Sequence, residues 1–392
     1  MAVSGNRGRV LAAACILLAG LGLLGAIFNF GLTEQSAATR DFIGYWAAGQ
    51  QIVHGADPYD ADQVLRLEKA VGLGHLQIKI TPSPPLGLGL VVPLGFLSAK
   101  GGLIFWMMAE LACLSLALWI VWMLAGRPPS RLHLVGYLFA PALACFMAGQ
   151  IGIFLLLGLC LFLLWRATRP FLAGAALLPM TLKPHLFLPV ALVLLLWVIL
   201  RRKPQILAGL VAAMAASFAL VLAFDPHAWS QYMAMMHSNL MQDRFAPTLS
   251  AYLRWDIAPA VIWIEYLPTA AACLWAVAYF ARRRERWDWM QDGLLVVLVG
   301  VVCAPYAWVT DESVLLPAVL IGMYRARATG RSLVPLALFA AVALVELYAD
   351  VRITSWYYTW TSPAWLAWFV YATWDSTDAT RLADEHPAAE AG

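Results

Sequence analysis

Four carboxylates stand close together early in the chain, Asp41, Asp57, Asp60 and Asp62, interleaved with the phenols of Tyr45 and Tyr59. A carboxylate at a helix start can accept a proton from a hydroxyl, or it can simply cap free backbone amides. Asp41 stands at such a start, because Phe42, Tyr45, Trp46, Gly49 and Val53 follow it at helical spacing. The pattern Asp57-x-x-Asp60-x-Asp62 invites a metal, since Mg²⁺ commonly takes one or two carboxylates plus substrate phosphates. These acids flank Pro58-Tyr59, however, where Asp57 opens a turn and Asp60 caps the next helix. No metal site and no cofactor are therefore expected. Further along, Lys183 and Arg244 offer positive charge and Gln150 an amide. Their bland alternatives are a snorkelling anchor, an ion pair with Asp243 or Asp256, and a backbone cap.

The elements that must position these groups follow from composition. Of 392 residues 62% are apolar and only 12% charged, against about 25% charged in soluble domains. This excludes a soluble enzyme, a disordered chain and a nucleic-acid binder. It also excludes an outer-membrane barrel, whose strands alternate rather than run apolar for twenty residues. The six cysteines all lie inside apolar runs and none forms a CxxC pair, so neither a disulfide framework nor a zinc site is expected. The chain is an all-α, polytopic helical membrane protein.

A first apolar run covers Val10 to Phe30, and others centre near residues 113, 141, 158, 177, 193, 214, 269, 300, 319, 341 and 366. Together they predict about 12 transmembrane helices. Basic residues resist translocation. Six clusters, at Arg7/Arg9, Arg127/Arg131, Arg166/Arg169, Arg201–Lys203, Arg282–Arg286 and Arg325–Arg331, all fall on one side if both termini are cytoplasmic. The opposite face then receives a long loop at 31–100 and a second segment at 225–257. Residues 84–97, interrupted by Pro84, Pro85 and Pro93, are expected as a re-entrant or interfacial piece. The helix at 42–53 is expected to lie amphipathically on the membrane surface. One integral-membrane domain, 1–374, is followed by an acidic, Ala-rich tail at 375–392, expected to be disordered. Trp356, Trp360, Trp365, Trp368, Tyr371 and Trp374 suggest an interfacial belt.

The run from Asp41 to Asp60, DFIGYWAAGQQIVHGADPYD, resembles the opening signature of glycosyltransferase family 87. Further elements occur in that family's order: Pro84-Pro85-Leu86 with Pro93-Leu94, Gly149-Gln150, Lys183-Pro184 and Ala304-Pro305-Tyr306. Two positions depart from it. Ser83 stands where the family commonly has Tyr, and Trp308 to Glu312 stand where some members carry His.

The resemblance implies a GT-C-like enzyme of the inner (plasma) membrane, similar to the polyprenyl-phosphate-mannose-dependent mannosyltransferases. A hexose would pass from a polyprenyl-phosphate carrier to a lipid or glycan acceptor on the external face, with inversion. Asp41 matches the family's general base. Lys183, Arg244, Gln150, Tyr45 and Tyr59 are the candidates for binding donor phosphate and sugar. Glu110, Glu265 and Glu346, in or near apolar runs, keep a second reading open: a non-catalytic transporter or flippase of lipid-linked sugars.

Overall fold

The computed structural model describes residues 22, 24–25, 27–74, 78–238, 246–349 and 356–373. Among these, every regular element is helical and no strand occurs. Only a helix satisfies its own backbone in lipid without a closed barrel. The first apolar run lies largely outside the described residues, as do Trp374, the 375–392 tail and Arg244.

The elements that build the site are α1 (Phe42–Val53), α2 (Ala61–Ala70), α3 (Ala99–Leu124), α4 (Ala140–Ala148) and α5 (Gly152–Trp165). Then come α6 (Leu188–Leu200), α7 (Pro204–Phe224), α8 (Leu267–Arg283), α9 (Leu294–Val302), α10 (Leu316–Ala328), α11 (Val334–Tyr348) and α12 (Thr361–Thr373). Prolines open many of them. Pro141, Pro189, Pro204, Pro268, Pro317 and Pro335 each sit at the first or second position, where a missing N–H costs nothing.

By length and composition, three helical stretches among the described residues suffice to cross a membrane: Ala99–Leu124, Pro204–Phe224 and Ile262–Arg286. Other apolar stretches are shorter. The run near 177 breaks into a helix at Pro170–Ala175 and a 3₁₀ turn at Leu178–Leu182. The 140–165 region splits at Gly149 into α4 and α5, of 9 and 14 residues. At about 1.5 Å per residue neither half reaches the ~30 Å of a hydrocarbon core.

The first loop differs from expectation. Helix α1 does not lie on a surface: ten of its twelve residues, from Phe42 to Ile52, are buried. Gly44, Ala47 and Ala48 are the reason, because their small side chains leave room for neighbours on the face expected to meet water, and Gly49 does the same on the apolar face. A Cβ added at Gly49 would come within 2.6 Å of the Val91 carbonyl oxygen. Trp46 Nε1 and Gln50 Nε2 both donate to Leu97 O, at 2.9 and 3.0 Å, fastening α1 to the turn before α3. The amphipathic helix of this loop is α2, which buries only Val64 and Glu68. Residues 84–97 form two short turns, Pro85–Leu88 and Val92–Phe96, rather than one continuous helix.

The C-terminal aromatics also depart from a simple belt. Trp365 and Trp368 are each 1% exposed, and their indole N–H groups donate to Glu312 and to Val319 O. They are core residues that bind α12 to α10 and to the turn before it.

Candidate active site

Asp41 sits at the first turn of α1 in helical backbone conformation and makes no side-chain capping bond. Its two oxygens face other groups. Oδ1 accepts from Lys79 Nζ at 2.6 Å, and Oδ2 accepts from Gln150 Nε2 at 2.9 Å. Lys79 comes from the extended return of the loop, and its main chain is held on both sides. Its N–H donates to both carboxylate oxygens of buried Glu68, at 3.1 and 3.2 Å. Its carbonyl lies so close to Gly44 that any Cβ there would overlap the oxygen. The glycine in the Asp-Phe-Ile-Gly run is therefore a contact requirement.

Gln150 reaches Asp41 because α4 ends in a left-handed turn. Gly149 has φ +66°, a conformation that costs a residue with a Cβ, and an added Cβ would come within 2.6 Å of Phe42 Cβ. The amides of Gly149 and Gln150 both return to Cys145 O, closing the helix and aiming the glutamine toward α1. Gln150 Oε1 then accepts from Tyr45 Oη at 2.8 Å and from Lys183 Nζ at 3.4 Å. Tyr45 is stacked on Trp106, with centroids 5.4 Å apart and planes 16° apart. Burial pushes its phenol above the ordinary range, so it stays a neutral donor.

Lys183 lies between the 3₁₀ turn Leu178–Leu182 and the turn that starts at Pro184. Its Nζ donates to Asp311 Oδ1 at 2.5 Å, and both side chains are buried, to 10% and 0% exposure. Burial alone would discharge the lysine, but the neighbouring Asp311 carboxylate more than reverses this and holds it protonated. Asp311 Oδ2 accepts from the Trp308 amide at 3.0 Å.

The next residue anchors the turn. Glu312 accepts from Thr361 Oγ1 at 2.6 Å and Trp365 Nε1 at 3.0 Å, both on α12. His185 packs edge-on against Tyr306, 5.7 Å between centroids, and burial lowers its pKa to about 4, leaving it neutral. It is a half-buried histidine.

A continuous polar chain results: Lys79, Asp41, Gln150 with Tyr45, Lys183, Asp311. Two ion pairs are joined by one amide, at the junction of five separate chain segments. The outer pair is partly open to solvent, at 27% and 29% side-chain exposure. The arrangement offers a carboxylate to accept a proton, two ammonium groups to meet an anion, and amide and phenol groups to bond hydroxyls.

Of the residues singled out from the sequence, Asp41, Tyr45, Gln150 and Lys183 thus come together. Tyr59 does not join them: it donates to Ser83 O at 2.7 Å and packs against Tyr232, tying the 57–60 turn to the double proline. Ser83, the position that departs from the resembled pattern, is buried and bonds Thr81 and Leu182 O. Asp60 Oδ1 caps α2 through the amides of Asp62 and Gln63, and Asp57 accepts from the Tyr59 amide. Among the described residues no group of three or more His, Cys, Asp and Glu is placed to hold a metal. Two members were not legible, Lys79 and Asp311. For Asp311 a signal existed: an acid in an apolar stretch needs a buried cation, and Lys183 was available.

Thr181 and Pro184, which flank Lys183 in the chain, line an apolar cavity of about 170 Å³ together with Leu159, Phe162, Leu194 and Trp289 among others. Its lining is almost wholly apolar.

Comparison with known proteins gives one match. The model of glycosyltransferase family 87 fits residues 83–325, more than half of the chain. No curated protein and no solved structure matched.

Proposed function

Because the chain belongs to glycosyltransferase family 87 and is a membrane glycosyltransferase, we propose that it moves a hexose from a polyprenyl-phosphate carrier to a lipid or glycan hydroxyl, with Asp41 as general base. Mannose is the sugar that the resemblance implies. The observation that carries this reading is the convergence of Asp41, Gln150, Tyr45 and Lys183 on one hydrogen-bonded chain.

The acceptor hydroxyl attacks the anomeric carbon while its proton passes to an Asp41 oxygen. The bond from that carbon to the carrier phosphate breaks, and polyprenyl phosphate leaves with the electron pair. Attack opposite the phosphate inverts the anomeric centre. A phosphate leaves without protonation but needs its charge met, and Lys183, held positive by Asp311, is the group for that work. Gln150 and Tyr45 are placed to bond sugar hydroxyls. The apolar cavity lined by Thr181 and Pro184 suits the first isoprene units of the carrier. Arg244 stays a candidate for the same phosphate on topology alone. Metal is not needed, because ammonium groups carry the electrostatic load. The reaction is proposed for the external face of the inner (plasma) membrane, with both termini cytoplasmic, 31–100 and 225–257 outside, and about twelve crossings in one domain of residues 1–374.

The test is purified protein in nanodiscs, supplied with labelled polyprenyl-phosphate hexoses and a native lipid extract. Labelled product from one donor, and none from nucleotide sugars, is the expected result. Binding or passage of the lipid-linked sugar across vesicles without any transferred label would instead favour a flippase.

A further inference from the structure

The Asp41 oxygen that would take a proton from the acceptor is occupied by Lys79 Nζ at 2.6 Å. We infer that Lys79 is a donor-phosphate ligand that leaves Asp41 when the donor binds, so that the donor itself releases the carboxylate for proton transfer. This rests on the glycosyl-transfer reading above and adds a residue that lies outside the matched family region, 83–325.

Three observations carry it. First, the two cations of the site are held very differently. Lys183 and Asp311 are buried together, at 10% and 0% side-chain exposure, whereas the Lys79–Asp41 pair keeps more than a quarter of each side chain exposed. Exposed pairs are held weakly, and the donor's phosphodiester, with one negative charge shared over two free oxygens, competes with a single carboxylate for one ammonium. Second, the Lys79 main chain is fixed while its side chain is not. Glu68 bonds the amide and Gly44 packs on the carbonyl, so the ammonium can swing on four methylenes without moving the loop. Of its three protons, two are used, by Asp41 and by Thr39 O at 3.3 Å. The third is free to meet a phosphate oxygen before the other two let go. Third, Asp41 does not lose its aim when Lys79 departs, because Gln150 still holds Oδ2 at 2.9 Å. The freed Oδ1 is then the basic atom, next to the sugar that Gln150 and Tyr45 would hold.

The inference predicts competition between Asp41 and phosphate for one ammonium. The probe is farnesyl phosphate, a short carrier with no sugar, titrated onto the full-length protein in nanodiscs. Lys79→Met should weaken its binding by about tenfold to a hundredfold, the scale of one charge-assisted contact, and Lys79→Arg should restore most of it. Asp41→Asn should tighten binding, and should do so much less in the Lys79→Met background. With a complete donor, Lys79→Met should raise KM far more than it lowers kcat. Unchanged farnesyl phosphate affinity in folded Lys79→Met would overturn the inference. So would an Asp41→Asn effect of equal size with and without Lys79, which would reduce the relationship to plain repulsion. The readout is binding, so these outcomes are separate from failure of the transferase reading, which shows as absent product in the wild type.

Discussion

The Lys183 ammonium and the Asp311 carboxylate, 128 residues apart in the chain, meet at 2.5 Å with the aspartate wholly enclosed. A buried pair of this kind adds little net stability, because desolvation offsets most of the attraction, but removing one partner is expensive. Asp311→Asn should therefore destabilise the protein by about 3–5 kcal/mol. Adding Lys183→Met should recover much of that stability while transfer stays lost. Thermal unfolding of the three proteins in nanodiscs checks this, and a single variant as stable as wild type would show the pair to be unstrained by isolation.

Asp41→Asn keeps the size and the Gln150 contact but removes basicity. Turnover should fall by about 10²–10⁴-fold, the contribution of a positioned general base. Stability should change little, because Asp41 makes no capping bond. Transfer at near-normal rate from folded Asp41→Asn would give the base role to another residue.

Gly44→Ala places a methyl group against the Lys79 carbonyl. Overpacking of this sort costs about 1–3 kcal/mol. The displaced Lys79 should also raise the donor KM, so the variant should be both less stable and less tightly saturated. Wild-type stability and KM would mean that the loop at 78–80 yields freely.

Glu68 gives the outer loop a pH dependence. Burial raises its carboxyl to about 7, although the bond from the Lys79 amide pulls the other way. A folded pKa above the unfolded one means that the folded state holds the proton longer. The stabilisation is full below about 4.5 and is lost as pH rises through 7, by at most about 3 kcal/mol. Melting temperature should fall over that window, and Glu68→Gln should flatten the slope. An equal slope in both proteins would place the titration elsewhere.

Orientation is testable by cysteine labelling in intact cells. A cysteine at Asp57 should be accessible from outside, and cysteines at Lys203 and Arg284 only after permeabilisation. Protection of position 57 would put the proposed site on the wrong side of the membrane.

Class and helical architecture were legible in the sequence because they follow from local quantities. Runs of apolar residues act over a few turns of chain, and lipid leaves the backbone no alternative to the helix. Asp41, Gln150 and Lys183 could be singled out for the same reason, each standing in a short motif. What joins them could not be read, since it depends on how small residues let segments approach. Gly44 admits Lys79, Gly149 admits Phe42 and turns Gln150 toward Asp41, and the α1 helix expected on the surface becomes buried through Gly44, Ala47 and Ala48. Lys79 and Asp311 were not singled out at all. Only the tertiary structure paired Lys79 with Asp41 and Asp311 with Lys183, because an ion pair is fixed by distance in space and its strength by burial, and neither is a property of sequence spacing.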